Sequence, residues 1–168
     1  MISKKLEEAI NIQINKELYS EYFYLSMAAW LESKGMSGFA NFFQVQVQEE
    51  RFHAMKMYDY LNERSSKVIL ETIEKPMTEF DSVIAVFELA YKHEQFITKS
   101  INELMDIAIS ENDHATKSFL NWFIDEQVEE EASMDSILAK LKMLDGNGNG
   151  LFMIDKELSA RTFNPPVN

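Results

Sequence analysis

The stretch "QEERFHAM", Gln48 to Met55, decides how this chain is read. Helical periodicity asks for an apolar face to continue through it, yet Glu50 and His53 occupy that face, three residues apart. A lone Glu-x-x-His pair on a helix is ordinarily a surface pair or a satisfied core histidine. Its meaning depends on what the rest of the chain sets opposite it.

Working outward, four long helical patterns can be traced. The first, roughly Lys4 to Ser33, carries Leu6, Ile10, Ile14, Tyr24, Ala28 and Leu31 on one stripe. Gly35 ends it, and Ser37-Gly38 restarts the chain. The second, about Gly38 to Arg64, turns Phe39, Phe42, Phe43, Met57, Tyr60 and Leu61 inward. Residues 65–77 lack periodicity, contain Pro76, and read as a long crossover. Thr78-Glu79-Phe80-Asp81 has the Ser/Thr-x-x-acid form of a helix start, opening a third helix that runs to about Ser110. Its stripe includes Val83, Phe87, Ala90, Ile97, Ile101 and Leu104. Asn112-Asp113 can cap a fourth helix to about Leu144, with Phe119, Phe123, Met134, Ile137 and Leu141 inward. Helices of about 30 residues are about 45 Å long. The expected fold is all-α: a four-helix bundle with one long crossover between the second and third helices, where a simple up-down bundle would need only short loops.

The bulk numbers agree. At 168 residues with 46% hydrophobic content, the chain is expected to form one domain, 1–168, with a real core. Its formal charge of −12 disfavours nucleic acid and anionic membrane as partners and favours cations. Without cysteine it can form neither disulfides nor thiolate metal sites, which fits a reducing compartment. "MISKKLEEAINIQ" lacks the apolar core of a signal peptide, and no uninterrupted apolar run could span a membrane. The expectation is a soluble, cytoplasmic protein.

Each inward stripe is broken near its middle by polar residues: Glu17, then Glu50 and His53, then Glu94, then Gln127 and Glu130. Glu17 to Glu50 and Glu94 to Gln127 span the same distance along the chain. A shift of 77 residues maps Glu17 onto Glu94, Glu49 onto Glu126, Glu50 onto Gln127 and His53 onto Glu130. It also carries Phe42 onto Phe119 and Met57 onto Met134. The chain therefore reads as two copies of one helical hairpin, with a polar layer at equal height in both. His53 faces a ring of carboxylates. No Lys or Arg lies on these stripes at that height, so each buried ionised carboxylate would cost several kcal/mol or stay protonated. Bound cations remove that penalty. Oxygen ligands with a single imidazole suit iron or manganese better than zinc, and a Glu from each of two helices with a Glu-x-x-His is a di-iron carboxylate pattern.

Taken with these positions, "NKELYSEYFYLSMAAW", "QEERFHAMKMYDYL", "YKHE" and "DEQVEEEASM" resemble a non-haem ferritin of bacterial or archaeal type, along essentially the whole chain. The resemblance implies that Glu17, Glu50 and His53 bind a first iron. It implies that Glu50, as a bridge, with Glu94 and Glu130 binds a second, with Gln127 beside the pair. Glu49, Glu126, Glu129 and Glu130 match the family's third iron site, and Tyr24 and Trp122 match aromatic residues next to the centre. A ferroxidase that uses dioxygen, storage of ferric oxide, and a hollow shell of twenty-four subunits are further implications of the resemblance. Where haem-binding relatives place a methionine ligand, this chain has Arg51, so no haem is expected. The second copy of the motif reads Gln127-x-x-Glu130, which lacks one histidine and one bridging carboxylate. A neutral amide binds ferric iron more weakly than a carboxylate does, so the second metal should be held loosely. That favours turnover into a mineral.

Two other functions stay open on sequence: a di-iron or di-manganese oxidase or peroxide-scavenging enzyme that keeps its metals, and a metal-free structural bundle. "DGNGNG", Asp145 to Gly150, imitates the opening of an EF-hand loop, but its twelfth place is Lys156 where a bidentate glutamate is needed. It reads better as a flexible turn that ends the fourth helix. Leu151, Phe152, Ile154 and Leu158 form a short amphipathic piece resembling the family's fifth helix, and "FNPPVN" is expected to be extended.

Overall fold

The computed structural model describes residues 2–144 and 146–165, and every regular element among them is a helix. These are α1 (Lys4–Ser33), α2 (Ser37–Glu63), α3 (Val83–Ser110), α4 (His114–Met143) and α5 (Gly148–Leu158). Asp145, the first residue of the EF-hand-like stretch, and the last three residues of "FNPPVN" lie outside the described residues. α1 packs along α2 and α3 along α4; the two hairpins meet through α1 and α3, and α5 lies against α2.

The helix ends follow from local chemistry. Ser3 and Asp113 cap α1 and α4, their side chains accepting from the Leu6 and Thr116 N–H groups. α1 closes at Gly35 (φ 74°), where the Gly35 N–H donates to the Glu32 carbonyl and the Met36 N–H to that of Leu31. Seventy-seven residues on, Asn112 (φ 56°) closes α3 with the same two bonds, onto Ile109 and Ala108. The repeat thus extends from the side chains to the turns.

Two boundaries differ from expectation, and the start of α2 is capped from a distance. The third helix starts at Val83 rather than near Thr78, because Ser82 provides the cap by accepting from the Ala85 N–H. Phe80, in the stretch expected to be helical, packs edge-on against Trp30 with ring centroids 5.6 Å apart. "DGNGNG" is less of a turn than expected, since Asn147 caps α5 and Gly148 is already helical. α2, lastly, has no capping side chain from its own flank. Instead the Phe39 N–H donates to Asp155 Oδ1 on α5 at 2.9 Å, and Asn41 Nδ2 returns bonds of 3.0 Å to the Leu158 and Arg161 carbonyls. Gly38 permits this approach, because a Cβ there would sit 1.6 Å from the Asp155 carbonyl oxygen.

The crossover between α2 and α3 is irregular and runs along α1. Asn11 pairs with Lys67 and Ile69, Asn15 with Thr72, and Ser26 with the Met77 carbonyl, so α1 side chains satisfy backbone groups that have no sheet or helix to join. Inside the bundle the apolar core is divided in two. One cluster includes Met27, Phe39, Phe43, Phe87 and Leu138; the other includes Ile10, Met57, Ile101 and Leu120. Between them Glu17, Glu50, His53, Glu94, Gln127 and Glu130 are all buried.

Candidate metal centre

Each helix delivers its polar residues to this layer because the apolar stripe on either side is anchored in one of the two clusters. Glu17, Glu50 and His53 converge, each offering a ligand atom within 4.8 Å of the others. His53 Nδ1 lies 3.6 Å from Glu50 Oε2. The imidazole is gripped edge-on by Trp122 (5.5 Å) and Phe123 (6.0 Å), which fixes the ring plane. Glu17 is 1% exposed and Glu17 Oε2 has no hydrogen-bond partner. An orphaned buried carboxylate oxygen costs heavily unless a cation or proton meets it. Two carboxylates and one imidazole, with one carboxylate carrying such an oxygen, fit iron.

Glu94, Gln127 and Glu130 reach the same layer in a different condition. Glu94 accepts from the Tyr24 hydroxyl on one oxygen and from Gln127 Nε2, at 3.2 Å, on the other. Gln127 Nε2 also reaches Thr98 Oγ1 at 3.3 Å. Glu130 Oε2 accepts from Gln46 Nε2 at 2.8 Å. Among the described residues neither Glu94 nor Glu130 joins a three-ligand group as tight as that around His53.

Burial and mutual repulsion dominate the electrostatics. Burial, then the Glu94 and Glu17 charges, hold the Glu50 carboxyl well above the usual range. Glu94 is pushed to about 8 by burial and by Glu130. Burial and Glu94 likewise push the Tyr24 hydroxyl up, so it is a hydrogen-bond donor at neutral pH. A carboxylate layer of this kind must bind protons or cations to exist in the folded chain.

Glu49, Glu126 and Glu129 line a pocket of about 220 Å³ that opens beside the centre, with Phe52, His53, Trp122, Phe163 and Asn164 completing its walls. Glu126 and Glu49 are half-buried and Glu129 is exposed. Glu49 is pushed to about 7, by burial first and the Glu130 charge second, against the pull of Arg161. Arg51 points away from the site and pairs with Glu21 at 3.4 Å.

Several residues around the centre were not singled out on sequence. Gln13 and Gln46 hold Glu17 and Glu130, and nothing but their place on an inward stripe could have signalled it. A basic partner reaches Glu49 from outside the inward stripes: Arg161, arriving after α5, pairs with it at 2.8 Å and stacks over Phe42 at 4.3 Å. His93, within the "YKHE" motif, is enclosed by aromatic rings; its Nε2 lies 2.7 Å from Ser20 Oγ, and burial lowers it to about 4.

An all-α crossover bundle with an acidic mid-layer and one histidine defines a ferritin-like carboxylate protein. The ferritin family's sequence profile, described as a ferritin-like domain, matches residues 7–144. The bacterial non-heme ferritin of Staphylococcus epidermidis is 42% identical over 164 residues, covering 98% of this chain and 99% of that protein. The Staphylococcus aureus bacterial non-heme ferritin is 41% identical, covering 97% and 98%. Two solved structures of the ferritin from the archaeon Archaeoglobus fulgidus, one described as an open pore ferritin and one as an engineered closed form, are each 49% identical with a TM-score of 0.96. They cover 96% and 98% of this chain, respectively, and 100% of their own. The chain belongs to the ferritin family, and its function is iron storage. No helix among the described residues is long and apolar enough to cross a membrane.

Proposed function

We propose that this chain is a ferroxidase: it oxidises Fe(II) with dioxygen at a two-iron centre in the bundle and deposits the product as hydrous ferric oxide inside a shell of twenty-four copies.

 Glu17 and His53 hold the first iron, Glu50 bridges, and Glu94 and Glu130 hold the second, with Gln127 beside the pair. What supports this reading above all is the convergence of Glu17, Glu50 and His53, with Glu17 Oε2 buried and without a hydrogen-bond partner. Each Fe(II) gives up one electron, and dioxygen takes both, leaving as hydrogen peroxide once two protons have joined it. The chain's own groups set the geometry and charge; the electrons come from the iron. Tyr24 keeps Glu94 oriented through its hydroxyl. Glu126 and Glu129, with Glu49 and the buried Glu130, offer departing ions a third site on the way to the cavity.

The test combines kinetics with particle size. Mixing the metal-free protein with Fe(II) in air should give a fast phase, followed in the near ultraviolet, that ends at two Fe(II) per chain. Gel filtration should show a particle of hundreds of kilodaltons that takes up iron far beyond that number. A small oligomer that stops at two metals per chain would instead establish a metal-retaining oxidase.

A further inference from the structure

The held oxygen of Glu17 ends a chain of hydrogen bonds that starts at a half-buried ammonium. Lys16 Nζ lies 2.5 Å from Ser100 Oγ, Ser100 Oγ lies 2.5 Å from Gln13 Oε1, and Gln13 Nε2 lies 2.7 Å from Glu17 Oε1. The order of donors along this chain is forced. An ammonium can only donate, so the Ser100 oxygen accepts from Lys16 and sends its own proton to Gln13. That assigns the Gln13 carbonyl to Ser100 and its amide N–H to Glu17. Gln13 and Ser100 are buried, so no water competes for these bonds. Lys16 itself has no carboxylate within ion-pair distance among the described residues; its ammonium also lies over the Phe96 ring, 5.2 Å from the centroid. Its charge is therefore directed at Glu17 through two neutral groups, each polarising the next.

We propose that Lys16, acting through Ser100 and Gln13, is a positioning residue that fixes Glu17 as a one-oxygen ligand at the first iron position. This rests on the assignment of Glu17 as an iron ligand above. With Oε1 committed to the Gln13 amide, only Oε2 faces the metal, and Oε2 is the atom left without a partner. Nothing equivalent can form on the other hairpin. The 77-residue shift places Ala90 where Gln13 stands and His93 where Lys16 stands. The device belongs to one of the two metal positions.

Anaerobic titration of the metal-free protein with Co(II) tests this, because the visible absorption of Co(II) reports its coordination and no turnover is involved. Lys16→Met and Ser100→Ala should each weaken the first Co(II) by about tenfold, the scale of lost outer-shell support. Each should also change the visible spectrum, since Glu17 becomes free to bind through both oxygens. The double variant should be no weaker than either single one, because both substitutions cut the same chain. Wild-type affinity and spectrum in both single variants, or penalties that multiply in the double variant, would overturn the proposal. Glu17→Ala separates this from the underlying assignment. If it keeps the first Co(II), Glu17 is not a ligand; if it loses Co(II) while Lys16→Met and Ser100→Ala behave as wild type, only the positioning role falls.

Discussion

On the first hairpin Glu17 has one oxygen held by Gln13 and one free; on the second its counterpart Glu94 has both engaged, by Tyr24 and by Gln127. The same contrast holds one helix further along. Glu50 and His53 converge on Glu17 within ligand distance of one another, whereas Gln127 donates into Glu94 and Glu130 accepts from Gln46. One half is a convergent ligand set, and the other is a satisfied hydrogen-bond network. A metal entering the first position gains ligands at little reorganisation, while one entering the second must displace or share existing bonds. The difference teaches that a repeated backbone does not make equivalent sites, and that loose binding can be built from competing hydrogen bonds as well as from a missing charge.

The largest effect should come from stripping the prepared half. His53→Ala or Glu50→Ala removes a ligand or the bridge, so the fast oxidation of the first two Fe(II) per chain should fall by at least about a hundredfold, beyond the cost of losing outer-shell support. Stopped-flow absorbance gives the rate, and gel filtration shows whether assembly is intact. Unchanged initial rates in both variants would break the comparison at its root.

Next comes the neutral position of the second half. Gln127→Glu removes the amide that donates to Glu94 and sets a carboxylate there instead. The extra charge should retain Fe(III) more strongly, so a second dose of Fe(II) given minutes later should be oxidised several-fold more slowly than by wild type. Oxygen uptake measures this. Equal recovery in both proteins would shift responsibility to Glu130, the counterpart of His53.

The metal-free chain should also feel its acids. Glu94 is raised from 4.5 to about 8 and Glu49 to about 7, so over pH 6.5–8 the folded chain holds protons that the unfolded chain has lost. Stability contributed this way is present at low pH and lost as pH rises through those values. His93, lowered to about 4, acts with the opposite sign but only below its ordinary 6.5. The melting temperature of metal-free protein should therefore drop by a few degrees between pH 6.5 and 8, and saturating Co(II) should reverse the trend. Calorimetry at the two pH values decides it; a rise without metal would mean that the acids are not strained.

The smallest effect lies where the halves are clasped. Asp113 caps α4 and pairs with Arg64 at 2.8 Å, the guanidinium holding its carboxyl down at about 2. Asp113→Ala should cost about 1 kcal/mol through the lost cap, without altering iron oxidation. In wild type the Asp113 contribution is present above the ordinary 3.8 and fades as pH falls through about 2. Urea titrations of the variant and wild type at neutral pH give the difference.

Much of this architecture could be read from residue order because periodicity and repetition carry it. The stripes gave α1 its bounds, and the 77-residue shift located all six buried residues of the mid-layer. Where the reading missed, a distant partner had overruled a local signal. Thr78-Glu79-Phe80-Asp81 has the pattern of a helix start, but Ser82 caps α3 and Phe80 is spent on Trp30. Arg161 finds Glu49 from a segment 112 residues away, and Ser100 finds Gln13 from 87. No motif spans such separations. Side chains that support a ligand leave a fainter trace than ligands do, since any buried polar residue on a stripe could serve.

The division of the apolar core into two clusters has a mechanical consequence. Each cluster draws on all four long helices, so the chain's packing units lie across the hairpins rather than along them. The plane between the clusters is lined by carboxyl groups that repel one another, which costs the metal-free chain cohesion there. Cations bound there would remove that repulsion and tie the two clusters together. Hydrogen exchange with and without Co(II) should then show protection gained first in the turns around Glu17, Glu50 and Glu94, with the ends of the same helices little changed.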